Sequence, residues 1–477
     1  MRHLLHSCDV LYTCDARDTV LRAAWMVVED GRIAALGEGA RPIGHFDRED
    51  DLSGLVAMPG FVNLHHHYFQ TLTRAVPSAL RGHLLDWLGR MYPVWAGITP
   101  DDMAVATRAS IAQLALTGAT SSVDHAYLVP PTEGDHLAAE IEASRDMGFR
   151  TYVFCGALTE LEGDLEARLA PSLGPGAGGL LVQPDAALAH MRRALNAHHD
   201  TAQDALIRVG VGPTTTAFDA LEFMRAMASL ANEHETGLHV HFHPRPDERA
   251  SCAQIGTGPL DFMKDCGWLG PRTLFAHATR LTKDEMRQCA DAGVSMAHCA
   301  RMILRLGARV TPLHDMREAG MRLGIGVDGG ASNDSGSMLG ELRVAYLLHR
   351  VAGGEGEVPW ESWLSPYRLL TLATRESADC LGWSQIGRLE PGCRADLTAF
   401  RLSGVGYAGA PRDPLATLFL TGDNDRAALT MTEGRVLVRD GRLVDVDELS
   451  LQKATDAATN RLIEQAQRIS GIDYDRF

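Results

Sequence analysis

Met58-Pro59-Gly60-Phe61-Val62-Asn63-Leu64-His65-His66-His67 is the stretch on which the reading of this chain turns. It is a short apolar run that ends in three consecutive histidines. In an extended strand successive side chains point to opposite faces, so His65 and His67 project the same way and His66 the other. Two imidazoles on one face can share a metal ion, and the triplet follows a strand signal inside the chain rather than sitting at a terminus.

Downstream, apolar strand candidates recur near 59–64, 119–123, 150–155, 206–211, 237–243, 272–277, 293–298 and 322–327, with helical segments between them. The clearest helix starts at Thr99. Thr99 can cap it, Pro100 suits its first position and Asp102 favours its positive end. Met103, Ala106, Ser110, Ile111 and Leu114 then share a face before Gly118 stops it. Eight strand and helix units in series predict a (β/α)8 barrel, whose chemistry sits at the C-terminal ends of its strands. An open doubly wound sheet also alternates, but the Gly-rich phosphate turn after its first strand is missing here. On the barrel frame His65 and His67 end strand one, His241 ends strand five, His277 strand six and Asp328 strand eight, all at one rim. Asp124 and His125 end strand two at the same rim. In Gly237-Leu238-His239-Val240-His241-Phe242-His243 three histidines alternate on one face, and spacing does not choose among them.

At the two ends the grammar changes. Trp25 to Leu36 reads strand, Asp30-Gly31, strand, and Arg435 to Val444 reads strand, Asp440-Gly441, strand; Asp-Gly is a favoured pair for tight hairpins. Both termini are therefore expected to combine into one small β-sandwich domain, residues 1–56 and 385–445, flanking a barrel of residues 57–384 and followed by a helix in 446–477. A chain of 477 residues, 45% hydrophobic, can fill two such cores. Its net charge of −16, with no basic block, argues against nucleic acid or an anionic membrane and for a small-molecule partner. No apolar run approaches a membrane span. Nine cysteines without paired spacing, and no signal segment, predict a reducing cytoplasm. Residues 158–185 are long for a barrel loop and contain Gly174-Pro175-Gly176-Ala177-Gly178-Gly179, which predicts a lid or a contact in a homo-oligomer, a dimer or larger.

Pro59 to His67, Phe275-Ala276-His277, Ala297-His298-Cys299 and Gly326-Val327-Asp328-Gly329-Gly330-Ala331-Ser332-Asn333-Asp334 resemble the amidohydrolase superfamily. More narrowly they resemble its branch of cytosine, guanine, 8-oxoguanine and isoxanthopterin deaminases, which includes triazine hydrolases. Gln70 to Ala75, Asp86-Trp87, Tyr92 to Trp95 and Gly387 to Leu397 extend the likeness nearly end to end. The resemblance implies a distorted (β/α)8 barrel holding one divalent metal, zinc or iron, on His65, His67, His241 and Asp328. Such an ion makes water a nucleophile near neutral pH. Asp328 would accept the proton of that water and His277 would polarise the group under attack. The implied reaction is hydrolytic deamination of a purine, pterin or triazine ring, with Gln70, Arg74, Trp87 and His125 as candidate substrate contacts.

Two departures stand out. In the deaminases the strand-five histidine is followed three residues later by a glutamate that carries protons to the ring and the leaving amine; here that place is Pro244. His243 is the nearest stand-in and Glu248 the second. Chloride leaves without a proton and nitrile hydration has no leaving group, so the change favours hydrolytic dehalogenation, nitrile hydration or a catalytically inert metal-binding homologue as alternatives. After Cys299 the deaminases carry Pro, Ser and Asn, whereas this chain has Ala300-Arg301-Met302, which predicts altered substrate contacts.

Overall fold

A computed structural model describes residues 1–161, 163–216, 220–351, 358–422 and 425–477. Eight parallel strands, Phe61–Asn63, Ala119–Ala126, Arg150–Cys155, Ile207–Val211, Leu238–Phe242, Thr273–His277, Ser295–His298 and Arg322–Ile325, pair in chain order. Each falls where the apolar runs predict it, give or take a few residues. The Leu64 amide donates to the Ile325 carbonyl at 2.8 Å and the Asp328 amide to the His65 carbonyl at 2.9 Å, which joins the eighth strand to the first. The sheet is thus closed into a barrel. Ala119–Ala126 is buried at every position, as expected of a parallel strand covered on both faces.

The helix Pro100–Leu116 begins as its sequence predicts: the Asp102 amide donates to Thr99 Oγ1 at 3.3 Å, and the Thr99 amide donates to the Asp102 carboxylate at 2.8 Å. Gly118 follows at φ +95°, and a Cβ there would lie 2.7 Å from the Phe400 ring.

Five N-terminal strands (Arg2–Tyr12, Val20–Glu29, Arg32–Glu38, Arg48–Asp51, Leu55–Pro59) and four C-terminal ones (Leu397–Arg401, Leu429–Thr432, Arg435–Arg439, Arg442–Leu443) form one mixed sheet. The halves meet where Leu55–Pro59 runs antiparallel to Leu397–Arg401, with Ala57 opposite Ala399. Its hydrogen bonding is continuous, so the expected sandwich is a single sheet wrapped on itself, with Met26 and Ile33 sharing an apolar cluster with Leu397 and Met431. Both Asp-Gly hairpins are present. Asp30 and Gly31 (φ +48° and +79°) and Asp440 and Gly441 (φ +48° and +73°) adopt the left-handed pairs that two-residue hairpins need. Sheet and barrel are tied by Arg150, buried at the base of the third barrel strand, which pairs with Asp396 at 3.2 Å and Glu433 at 2.7 Å.

Residues 158–185 depart from the reading as a bare loop. They carry the helix Leu165–Leu173, which packs on the helix Leu84–Trp95, and then run into Pro184–His198. The C-terminal helix Glu448–Ser470 is capped by Asp447 and buries Leu462 and Ala466 against the barrel helices Leu84–Trp95 and Pro100–Leu116.

Candidate metal centre and its cavity

The alternation of the His triplet survives in the fold. His65 and His67 turn inward and meet His241 and Asp328: His65 Nε2 lies 3.2 Å and His67 Nε2 3.3 Å from Asp328 Oδ1, and His67 Nε2 lies 3.1 Å from His241 Nε2. Potential ligand atoms of His65, His241, His277 and Asp328 all fall within 4.8 Å of one another, and so do those of His65, His67, His125 and His241.

The opposite ring nitrogens explain what these atoms are for. His67 Nδ1 donates to the His125 carbonyl at 3.0 Å, and His241 Nδ1 donates to the Thr214 carbonyl. His65 Nδ1 is 2.8 Å from His239 Nε2, and His239 Nδ1 is 2.8 Å from the Leu274 carbonyl. A carbonyl only accepts, so His239 carries its proton on Nδ1 and accepts from His65. In all three imidazoles the proton therefore sits on Nδ1, and the bare Nε2 lone pairs converge with a carboxylate oxygen. Lone pairs so placed repel unless a cation lies among them, and His65 Nε2 is buried with no hydrogen-bond partner. Burial drives the pKa of His65 and His241 well below the ordinary value and keeps them neutral. Asp328, buried among them, supplies the one carboxylate of the set. Three neutral imidazoles and one carboxylate fit a divalent metal ion.

His277 and Asp328 both hold left-handed backbone, at φ +71° and +64°, conformations that are costly without glycine and that cluster at functional sites. The His277 ring stacks on His241 at 5.5 Å and on His243 at 5.3 Å. Above this floor opens a cavity of about 210 Å³. Of the residues proposed from sequence, His67, Gln70, Trp87, His241, His243, His277 and Asp328 line it. Gln70 is 2% exposed with its Oε1 unpartnered, and Gly329 leaves room for it: a Cβ there would sit 1.9 Å from that oxygen.

Others lie elsewhere. Arg74 does not reach the cavity; its guanidinium turns towards Thr71 Oγ1 at 3.4 Å, with Asp334 nearby. His125 stands behind the cluster, its Nε2 donating to the Pro213 carbonyl at 2.9 Å, while its own carbonyl orients His67. Glu248 is spent on the helix Pro246–Gln254, accepting from the Arg245 amide at 2.6 Å, and does not line the cavity. His298 is buried away from it, and Trp95 donates to Thr73 Oγ1 as a packing residue.

The sequence reading missed the wall from the 158–185 segment, where Leu158, Glu160, Leu161 and Leu165 line the cavity, and the orienting role of His239. The spacing of Leu165, Leu169 and Leu173 was a legible helical signal, masked by Pro171 and the glycines beyond it. His239 left no comparable trace.

A closed (β/α)8 barrel with a His and Asp cluster at the C-terminal rim of its strands defines a class of metal-dependent barrel proteins. Residues 56–437 match the amidohydrolase family, and this chain belongs to it. It is 35% identical to the 8-oxoguanine deaminase of Pseudomonas aeruginosa, covering 95% of this chain and 97% of that one. It is 32% identical to the hydroxydechloroatrazine ethylaminohydrolase of a Pseudomonas species, covering 95% and 94%. The structure is similar to that of atrazine chlorohydrolase from Arthrobacter aurescens TC1 complexed with zinc, with a TM-score of 0.86 and 31% identity over 96% of this chain and all of that one.

Proposed function

We propose that this chain is a metal-dependent aminohydrolase that deaminates an aromatic N-heterocycle of purine, pterin or triazine type. The observation that carries the reading is the convergence of three Nε2 lone pairs and the Asp328 carboxylate at the floor of a cavity that also presents His277 and Gln70. His65, His67, His241 and Asp328 are the ligands, and zinc is the ion that best suits them, with iron the other choice. A divalent cation held there lowers the pKa of a water molecule towards neutrality.

The chain's own groups do the rest. The ionised Asp328 carboxylate accepts the proton of the attacking water, and the His277 imidazole polarises the ring position under attack. Gln70 offers donor and acceptor together to an amide edge of the ring, and Trp87 bounds the ring's plane. Pro244 cannot move a proton; His243, stacked on His277 over the cavity, carries it to the leaving amine.

Screening aminated purines, pterins and triazines for ammonia release, with chlorinated triazines for halide release in parallel, tests the reaction. Metal analysis of wild type against His65→Ala tests the ligands, the variant being expected to lose its ion. Hydrolytic dehalogenation is the second reading, favoured by Pro244, because halide departs unprotonated. Halide release without ammonia would put it first. The nine unbridged thiols support a reducing compartment, the cytoplasm. A homo-oligomer of at least two copies completes the proposal, with light scattering as its check.

A further inference from the structure

We propose that Arg280 and Arg309 form an anion subsite at the mouth of the cavity, and that the heterocycle accepted there carries a carboxylate; this rests on the reading of the cavity as a heterocycle site. Both residues line the cavity, Arg280 half-buried and Arg309 exposed, and among the described residues neither guanidinium has a hydrogen-bond or ion-pair partner. The third arginine of the lining, Arg245, differs in being paired with Glu248 at 3.7 Å. Leaving arginines unpaired is not forced by composition, since acidic residues outnumber basic ones, 61 to 45.

The two residues are held in place by their backbones. Arg249 grips Glu285 through two bonds of 2.8 Å and donates to the Arg280 carbonyl at 2.9 Å. On the other side Thr311 Oγ1 donates to the His277 carbonyl at 3.1 Å, pinning the stretch that carries Arg309 against strand six. Arg280 lines the same cavity as His243 and His277, the residues to which the proposed chemistry is assigned. The rest of the lining is largely apolar, with Leu84, Leu88, Leu161, Met302 and Leu306, and it also carries Glu160. An uncharged substituent would leave two guanidiniums facing the cavity without an acceptor. A carboxylate supplies two acceptor oxygens matched to a guanidinium's donors, in a setting less screened than open water.

The test is binding of matched ring pairs that carry no ring amine and so cannot turn over, a carboxymethyl-dihydroxytriazine against its carboxamide and lumazine-6-carboxylate against lumazine-6-carboxamide, by calorimetry on the metal-loaded enzyme at two salt concentrations. The carboxylate of at least one pair is expected to bind about tenfold tighter or more, the factor a hydrogen bond to a charged group supplies, and high salt is expected to shrink the gap. In Arg280→Gln the ratio should fall towards one, in Arg280→Lys it should be partly kept, and Arg309→Gln should lower it less. Equal binding of both partners in each pair, or a preference that persists in Arg280→Gln, overturns the subsite while leaving the heterocycle reading intact. Failure of every ring to bind wild type overturns both.

Discussion

At His65 the useful lone pair is set by two hydrogen bonds in series, from His65 to His239 and from His239 to the Leu274 carbonyl. Groups that orient metal-binding histidines in this way are typically worth about 10- to 100-fold in metal affinity. His239→Phe should lower affinity by that order in a chelator competition, and His239→Gln, which still offers an acceptor, should lower it less. Equal affinity in wild type and His239→Phe would remove the role. His243→Ala should abolish turnover, a loss of about 10²- to 10⁴-fold or more, while the metal content stays that of wild type; full activity in that variant would refute the assignment. Gly329→Ala drives a methyl group into the space of the Gln70 amide, and the expected outcome is a KM raised about tenfold, the value of one good hydrogen bond to the ring, with the metal retained.

Among the elements, the helix Pro100–Leu116 is specified locally. Thr99 and Asp102 satisfy each other's backbone donors, and Thr99→Ala is expected to cost about 0.5–2 kcal/mol in urea denaturation without changing metal content. The segment ahead of Pro184 shows the reverse. Its helix Leu165–Leu173 contains Pro171 and is followed by glycines, so local preference reads as loop. Packing against the helix Leu84–Trp95 decides otherwise. One consequence is that Leu158, Glu160, Leu161 and Leu165 form a wall of the cavity.

Over the whole molecule, buried ionisable groups predict how stability depends on pH. Burial pushes the pKa of His66 and His239 down to about 3 and that of His298 and His349 down to about 4. An unfolded histidine takes up a proton below about 6.5, so these groups remove stability as pH falls from there. Burial acts oppositely on carboxyls, raising Asp124 to about 7 and Glu341 to about 8. Those are protonated in the fold and ionised in the unfolded chain between about pH 4 and 8, so they remove stability as pH rises. The histidines outnumber the acids, so the histidine slope wins below about 6.5 and only the acid slope remains above it. Urea midpoints of the metal-stripped protein should therefore peak near pH 6.5 and decline on both sides, more steeply on the acid side; a maximum at pH 8 or above would contradict the account.

What the sequence determined by itself was whatever depends on local period and turn chemistry. Eight apolar runs, two Asp-Gly hairpins and the capped helix at Thr99 are each written in a few neighbouring residues. The common rim of His65, His67, His241, His277 and Asp328 follows from strand ends, so it too was legible. The tertiary structure decided matters set by residues distant in the chain. Among His239, His241 and His243, alternation gives one face, and only the Leu274 and Thr214 carbonyls distinguish the orienting ring from the converging one. Arg74 and His125 share the rim's sequence neighbourhood, yet Thr71 and the Pro213 carbonyl draw their polar atoms away from the cavity. Side-chain direction at a barrel rim is fixed by hydrogen-bond partners from other strands, and no local pattern encodes those.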